Sequence, residues 1–396
     1  PYLAKAYNRR TFHTRPAAFY KIFQVIMPFS EGDIIYSEGY HDEFHQYMWN
    51  RLLWDPNRSL DDVMAEYCRY HFGPEAAPDM AAAMLQLEKN LELPLADNAG
   101  IDAYYLQVKE AGWKIPPHRM ADNYRWMLHM QKAALDKYNQ LRLRRELARD
   151  AELLSLAKND PDNAVARSKT LLAEALETPD MAALREEARR LGEESDRIMG
   201  VRNLGFFSLD KAMTTLGWTE DQFKAAEAAS GDARQAILWD LAHYEDAGPG
   251  GFYDDAGEPG RQPHLVKGFD YDATSRMTPG NRPSQNTLAY SMDDPRGVVF
   301  EYPDLDPDAH YTVRVSIGRP RRNSAEDEAK GPKQLQSILA DGEYIARDVE
   351  MPILKTDTFE YDVPQSATSD GFLQLTFERD PNTVFVMVSE VWLLKR

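Results

Sequence analysis

The chain has 396 residues, and its 46 Lys and Arg against 64 Asp and Glu give a formal net charge of −18. This acidic balance argues against a general nucleic-acid binder, which needs a basic surface. No apolar stretch approaches the roughly 18 residues of a membrane-spanning helix. A hydrophobic content of 43% is typical of globular proteins, and this length predicts two or three domains. The one cysteine, Cys68, excludes an internal disulfide and is expected to be a buried structural thiol.

The first zone, residues 1–40, contains two short apolar runs. Phe23–Phe29 and Asp33–Gly39 are bounded by turn-forming residues and predict short buried strands, the second leading into a helix. Two strands do not make a stable sheet alone. The chain also begins at Pro1 without an initiator Met, so we expect this zone to be the end of a larger domain cut by the start of the sequence.

The second zone, residues 41–247, has the period of helices. Apolar residues recur three and four positions apart, as in Phe44, Met48 and Leu52. Ser59 is a candidate N-cap with an acidic residue three positions later, and Gly73 followed by Pro marks the end of the same helix. Later segments of similar length, separated by Pro and Gly, predict antiparallel hairpins in a helical bundle.

The third zone, residues 248–396, changes to strand-like runs after a glycine-rich stretch. The predicted strands are separated by turn signals such as Asp341-Gly342 and cover Val298–Tyr302, Tyr311–Ile317, Gln334–Ala340, Thr358–Val363, Phe372–Glu378 and Val384–Leu394. Strands at this spacing predict an antiparallel β-sandwich behind an N-terminal linker loop. Because Val384–Val388 is apolar at every position, we expect it to be a central strand.

The segment Tyr36–Glu43 carries the strongest chemical signal. A carboxylate at the end of a strand and before a helix occupies the catalytic rim of a barrel built from alternating strands and helices. Glu38 is therefore the candidate catalytic carboxylate, and Tyr36, His41 and Asp42 are candidates for binding substrate hydroxyl groups. The alternative is structural: Glu38 pairs with an arginine, and Asp42 and Glu43 favour the helix N-terminus electrostatically.

Metal and cofactor motifs are weak in this sequence. His41 and His45 are four residues apart on one helix, but the His-Glu-x-x-His pattern of zinc proteases is absent. The glycine-rich stretch 248–260 lacks the Lys of a phosphate loop, and its Asp254 and Asp255 are adjacent rather than alternating. The prediction is therefore no cofactor and no metal ligands, with a peripheral calcium ion as an alternative.

Aromatic side chains in the third zone offer stacking faces for sugar rings. The candidates are Tyr302, Tyr311, Tyr344, Tyr361 and Trp392. For each of them the alternative is that the ring fills the core between two sheets.

Two sets of motifs resemble known carbohydrate-degrading proteins. The run Leu52–Asn57, then Glu66-Tyr67, then His71–Ala77 resembles the junction after the catalytic barrel in α-glucuronidase-like and related (β/α)8 glycoside hydrolases. The stretches Gly248–Asp255, Gln262–Val266, Ala367–Gly371 and Ser389–Leu393 look like the tail of large bacterial proteins in which a barrel and a helical region precede a jelly-roll module.

The resemblance implies a multidomain α+β protein. It consists of the last strands of a truncated (β/α)8 barrel in residues 1–40, a helical domain in 41–247, and a jelly-roll β-sandwich similar to a carbohydrate-binding module in 248–396. The implied function is glycoside hydrolysis of a polysaccharide or oligosaccharide when an upstream barrel is present, and no hydrolysis by these 396 residues alone. The alternative is a non-catalytic module that binds carbohydrate or holds domains together.

The same resemblance sets expectations for partners and location. The partner is a glycan, and no nucleic acid or membrane is expected. An extracellular or periplasmic location of a secreted bacterial protein is implied, although the sequence shows no signal peptide.

Overall fold

The computed structural model describes residues 12–35, 42–200, 214–258, 260–268, 270–273, 282, 284, 287–291, 294, 296–321, 326 and 330–396. These residues form a multidomain α+β protein in which helices precede antiparallel sheets. The chain divides into two compact units: Pro1–Ala148 with Glu174–Leu209, and Arg149–Ala173 with Asp210–Arg396. The predicted domain boundaries after residues 40 and 247 stay predictions.

The helices fill most of the chain before residue 243. In chain order they are α1 (Pro16–Ile26), α2 (Glu43–Trp54), α3 (Leu60–Phe72), α4 (Ala77–Asn90), α5 (Gly100–Lys114), α6 (Pro117–Met120), α7 (Tyr124–Asn159), α8 (Pro161–Ala173), α9 (Pro179–Met199), α10 (Leu216–Ala228) and α11 (Gly231–Ala242). No helix among the described residues is long and apolar enough to cross a membrane.

Helix ends follow the predicted capping chemistry. The Ser59 hydroxyl accepts a hydrogen bond from the Asp62 backbone N–H at 3.1 Å, so it satisfies one of the free amides at the start of α3. Gly73 ends α3 with φ of 90°, a conformation that favours glycine. Both features confirm the sequence prediction for this helix.

The predicted strand at Phe23–Phe29 is wrong, because these residues form the end of α1 and one 3₁₀ turn, Met27–Phe29. Phe19 and Phe23, four residues apart, pack on the helical core, while Val25 is 63% and Phe29 88% exposed. The apolar run thus has one buried helical face rather than the two buried faces of a central strand. Residues 33–35 have no helix or strand, and the rest of the second predicted strand lies outside the described residues.

The strands after residue 251 are all paired antiparallel in three sheets. They are β1 (Phe252–Asp255), β2 (Leu265–Lys267), β3 (Asp270–Ala273), β4 (Thr287–Ser291), β5 (Val298–Tyr302), β6 (Tyr311–Gly318), β7 (Leu335–Ala340), β8 (Glu343–Glu350), β9 (Thr356–Val363), β10 (Leu373–Arg379), β11 (Val386–Val388) and β12 (Glu390–Lys395). The sheet orders are β1-β12-β6-β9, β2-β5-β10-β7-β8 and β11-β4-β3.

One apolar core joins these sheets. Val313 of β6 and Leu393 of β12 come from the four-stranded sheet, and Phe300 of β5 and Leu375 of β10 come from the five-stranded sheet. Each of these four side chains is fully buried. The predicted strands between residues 298 and 378 therefore occupy the expected positions, and their alternate residues build the core.

The last predicted strand needs a correction. Val384–Leu394 is not one strand: β11 and β12 are separate and belong to different sheets. The apolar β11 lies at the end of the three-stranded sheet rather than at its centre, although all three of its residues are buried. The glycine-rich stretch is likewise not only a linker, because β1 lies within it and pairs with β12.

Candidate functional sites

The predicted site segment is only partly described. Tyr36, Glu38 and His41 lie outside the described residues, so the catalytic and binding roles assigned to them stay predictions. Asp42 is described, half-buried, and immediately precedes α2. Asp42 lies beside two histidines, His13 and His45, which the spacing of residues in the sequence did not group with it.

A cluster of His13, Asp42 and His45, here called the His–Asp–His cluster, forms where the chain entering α1 meets the start of α2. One possible metal-ligating atom from each residue lies within 4.8 Å of those of the other two, and the described residues contain no other group of three such side chains. The two imidazole rings are 5.4 Å apart. The sequence predicted no metal ligands, although it noted the spacing of His41 and His45; His41 lies outside the described residues, and the described cluster draws its members from two separate segments.

His45 is the fixed member of this cluster. Its ring stacks on Phe19 at 4.0 Å with an interplanar angle of 8°, and its exposed fraction is 5%. The backbone N–H of Arg15 donates to His45 Nε2 at 2.8 Å, which holds the ring between α1 and α2. The hydrogen bond from the Arg15 N–H joins two neutral groups and contributes about 1 kcal/mol net to folding stability. The free energy of metal binding at a complete structural zinc site is larger, about 10 kcal/mol or more.

Glu43 next to the cluster has a structural role. Arg125 donates to both of its carboxylate oxygens at 2.6–3.0 Å, and Tyr67 Oη donates at 3.2 Å. The cavity beside this pair has a volume of about 10 Å³, enough for about one water molecule. Glu43 and Arg125 therefore tie α2 to α7 rather than bind a ligand.

Cys68 is a buried structural thiol, as predicted. Its side chain is fully buried in the core of the first unit, and burial raises the pKa of the thiol to about 12. A thiol with so high a pKa stays protonated at neutral pH, so it is a poor nucleophile.

A second candidate site is an open groove between β8 and β9, here called the β8–β9 groove. Its volume is about 540 Å³, and it is lined by Arg347, Asp348, Val349, Glu350, Pro352, Asp357, Phe359 and Tyr361. β8 and β9 each lie at the end of their sheet's strand order, so the groove follows two strand edges.

A β-bulge shapes one wall of this groove. Gln336 pairs with Val349 and Ile338 pairs with Ala346, so three steps along β8 face two steps along β7. The extra residue falls at Arg347 and Asp348, and Asp348 has φ of 54°. A bulge re-aims side chains and ends regular pairing, which explains why both residues line the groove.

The opposite wall presents two aromatic rings. Phe359 and Tyr361 alternate with polar residues along β9, and their rings are nearly parallel, with centroids 6.5 Å apart and an interplanar angle of 11°. Both are half-buried against the core, and burial raises the pKa of the Tyr361 hydroxyl, so it stays protonated at neutral pH.

The lining charges of the groove are mostly negative. Three carboxylates, Asp348, Glu350 and Asp357, face one guanidinium, Arg347. Lys333 pairs with Glu350 at 2.6 Å and Lys355 pairs with Asp357 at 2.9 Å. With these two lysines and Arg347, three cations balance the three carboxylates, so the groove has little net charge and suits a neutral ligand rich in hydroxyl groups.

The structure separates the aromatic residues predicted as sugar-stacking candidates. Tyr302, Tyr311 and Trp392 are at most 3% exposed and belong to the interior, so the expectation that such rings fill the core is confirmed for them. Tyr344 is 40% exposed and lies under the Arg347 guanidinium, 3.3 Å from its ring centroid. Among the five, Tyr361 is the ring that lines the groove.

The stretch considered for calcium is occupied by protein contacts at Asp254. This carboxylate is fully buried and contacts His264 Nδ1 at 2.9 Å, while Tyr302 Oη donates to it at 3.1 Å. The His264 backbone N–H also donates to it at 3.0 Å. Asp254 therefore fixes β1 to the sheet that contains β5.

Comparison with known proteins bears on the first unit. Residues 13–84 match a family model described as "Domain of unknown function (DUF4838)". No curated protein matches the chain. The matched segment covers less than half of the chain, and all three residues of the His–Asp–His cluster lie within it.

The sequence did not predict that the residues of the His–Asp–His cluster, or those of the β8–β9 groove, come together. His13 and His45 are 32 positions apart and share no motif, and β8 was not predicted because its charged residues hide the strand pattern. The one usable signal was Tyr361, which the alternation of β9 placed on the same face as Phe359.

Proposed function

We propose that this chain is the glycan-binding part of a carbohydrate-active protein, and that the β8–β9 groove holds a neutral oligosaccharide. The observation that carries the proposal is the pair of parallel rings, Phe359 and Tyr361, in an open groove whose other wall is polar. Aromatic faces contact the apolar faces of sugar rings, and carboxylates accept hydrogen bonds from sugar hydroxyl groups. The resemblance to proteins with a jelly-roll module of the carbohydrate-binding type supports the same class of ligand.

The groove volume is consistent with this ligand class. Small-molecule sites in proteins enclose about 300–1,000 Å³, and the groove offers about 540 Å³. Its position along two strand edges suits an extended ligand such as a stretch of a polysaccharide.

Calorimetric titration of the chain with soluble neutral polysaccharides tests the proposal. Xylan, β-glucan and mannan form the panel, and a polyuronate tests the preference for neutral ligands. We expect at least one neutral glycan to bind, with at least a tenfold loss of affinity in Tyr361→Ala and in Phe359→Ala. Tyr361→Phe keeps the ring and is expected to keep most of the affinity.

The control is Trp239→Ala. Trp239 is an aromatic residue on α11 that is 61% exposed and does not line the groove. Thermal unfolding of each variant shows whether the core remains intact. Absence of binding to the whole panel, or equal binding by the wild type and the two groove variants, contradicts the proposal.

Glycoside hydrolysis is the second candidate function. It places Glu38 as a catalytic carboxylate with Tyr36, His41 and Asp42 at the substrate. The observation that favours it is that Asp42 lies in a polar cluster with His13 and His45 rather than on an open helix surface. Glu38→Gln in a full-length protein that hydrolyses a glycan is expected to lower kcat by orders of magnitude, and unchanged turnover would remove Glu38 from the mechanism.

A further inference from the structure

We infer that the His–Asp–His cluster is a binding site for a divalent transition-metal ion. Two imidazoles and one carboxylate are the donor set that proteins use for zinc and for other first-row divalent metals. Calcium and magnesium prefer sites built from oxygen atoms alone. His13, Asp42 and His45 therefore select the class of metal by their chemistry.

The geometry is close to that of a bound ion. Zinc bonds of about 2.0–2.2 Å put tetrahedral donors about 3.4 Å apart, and the donors of the cluster lie within 4.8 Å of one another. They need to approach by at most about 1.4 Å. His13 belongs to the segment before α1, which has no helix or strand, whereas His45 is packed on Phe19, so we expect the approach to come from His13 rather than from α2.

Burial favours binding over a loose surface contact. His45 is 5% exposed and is held by Phe19 and the Arg15 N–H, while His13 and Asp42 are half-buried. A fixed, buried donor reduces the side-chain entropy that metal binding has to overcome. Three protein donors also leave at least one coordination position for water or another ligand, as in catalytic zinc sites.

The hydrogen bond from Arg15 determines which nitrogen of His45 carries the proton. Because His45 Nε2 accepts this bond, the neutral ring carries its proton on Nδ1. A metal that binds through Nδ1 displaces that proton, and one that binds through Nε2 displaces the Arg15 hydrogen bond.

Zinc titration of the protein, with any histidine tag removed, tests this site. We expect one equivalent of Zn²⁺ to bind per chain. His13→Ala and Asp42→Asn are each expected to weaken it at least tenfold. Co²⁺ added in place of Zn²⁺ gives a visible ligand-field band in the wild type that is lost in Asp42→Asn. His118→Ala is the matched control, because His118 is exposed and outside the cluster, and it is expected to keep wild-type affinity.

Thermal unfolding without metal shows whether a variant has lost a metal-ligating side chain only or has also lost its folded structure. His13→Ala and Asp42→Asn are chosen because His45 packs on Phe19 and accepts the Arg15 hydrogen bond, so its removal also affects packing. The inference is overturned by a wild type that binds no Zn²⁺. It is equally overturned by folded His13→Ala and Asp42→Asn variants that bind Zn²⁺ as the wild type does.

Discussion

The two compact units stabilise their interiors in different ways. The sheets of the second unit share an apolar core of aliphatic and aromatic side chains such as Phe300 and Leu375. The first unit adds charged and polar groups to its helical interior, including a fully buried ion pair between Lys132 and Asp136 and the buried His129. Buried charges also occur in the second unit, as at Asp254, but the core between its sheets is apolar, whereas helix α7 carries polar residues at many of its own buried positions and needs partners for them.

The largest expected effect comes from the Lys132–Asp136 pair. Removing one partner of a buried ion pair costs about 3–5 kcal/mol, because the other charge stays buried without it. Lys132→Met is therefore expected to lower the free energy of unfolding by this amount, and Lys132→Met with Asp136→Leu is expected to regain much of the loss. Helical circular dichroism in urea measures both.

Phe300 and Leu375 supply the contrasting case in the sheets. These residues face each other in the β5–β10 register and are fully buried. Phe300→Ala is expected to lower the free energy of unfolding by about 3–5 kcal/mol, and adding Leu375→Ala is expected to increase this loss.

The contrast with the ion pair would fail if the double variant Lys132→Met with Asp136→Leu were no more stable than Lys132→Met.

Acid is expected to destabilise the first unit through His129. Burial lowers the pKa of this imidazole to about 3 in the folded protein, against about 6.5 in the unfolded chain. Between these values the unfolded state binds more protons, so stability is full above about pH 6.5 and falls as the pH decreases. The expected loss from His129 between pH 7 and pH 4.5 is about 3 kcal/mol.

His129→Gln identifies this contribution. The amide of Gln replaces the hydrogen bond that links the imidazole to Tyr104 Oη at 2.8 Å, without a titrating group. We expect urea unfolding of the variant to depend less on pH than that of the wild type. His71 keeps part of the dependence, because burial, together with Arg125 and Arg119, lowers the pKa of His71 to about 4. Equal pH slopes in the two proteins would remove His129 from the explanation.

A smaller effect is expected at Glu88, which caps α1 from a distant helix. Its carboxylate oxygens accept hydrogen bonds from the backbone N–H groups of Ala17 and Ala18 at 2.8 Å, and the side chain is 7% exposed. Glu88→Ala is expected to lower stability by about 1.5–3 kcal/mol, the usual value for hydrogen bonds to a charged group. Glu92→Ala, at an exposed position, is the control for removing an acidic side chain; equal unfolding midpoints for the two variants would contradict the capping role.

The smallest effect is expected at Ser59. Ser59→Ala removes the N-cap of α3 and is expected to cost about 1 kcal/mol, while Ser59→Asp keeps an acceptor and is expected to stay near the wild type. Chemical unfolding distinguishes the two. A larger loss in Ser59→Asp than in Ser59→Ala would show that the hydroxyl does not act as a cap.

Features that depend on neighbours in sequence were predictable. Ser59 and Gly73 mark the ends of α3, and Asp341 and Gly342, both with positive φ, form the tight turn between β7 and β8. The sequence predictions failed where a local pattern is compatible with both a strand and a helix. The run at Phe23 has the composition of a strand, and it becomes a helix because Glu88 caps the N-terminus of α1 and the helical core buries one face of it.

The sequence by itself determined the order of helices before strands, the ends of α3, the burial of Cys68 and the positions of the strands from β5 to β10 apart from β8. These depend on hydrophobic period, capping and turn chemistry, which act over a few residues. Only the tertiary structure brought His13 to Asp42 and His45, and set Phe359 and Tyr361 opposite the bulge at Arg347. Such sites join residues that are distant in the chain, and packing rather than local spacing decides which of them meet.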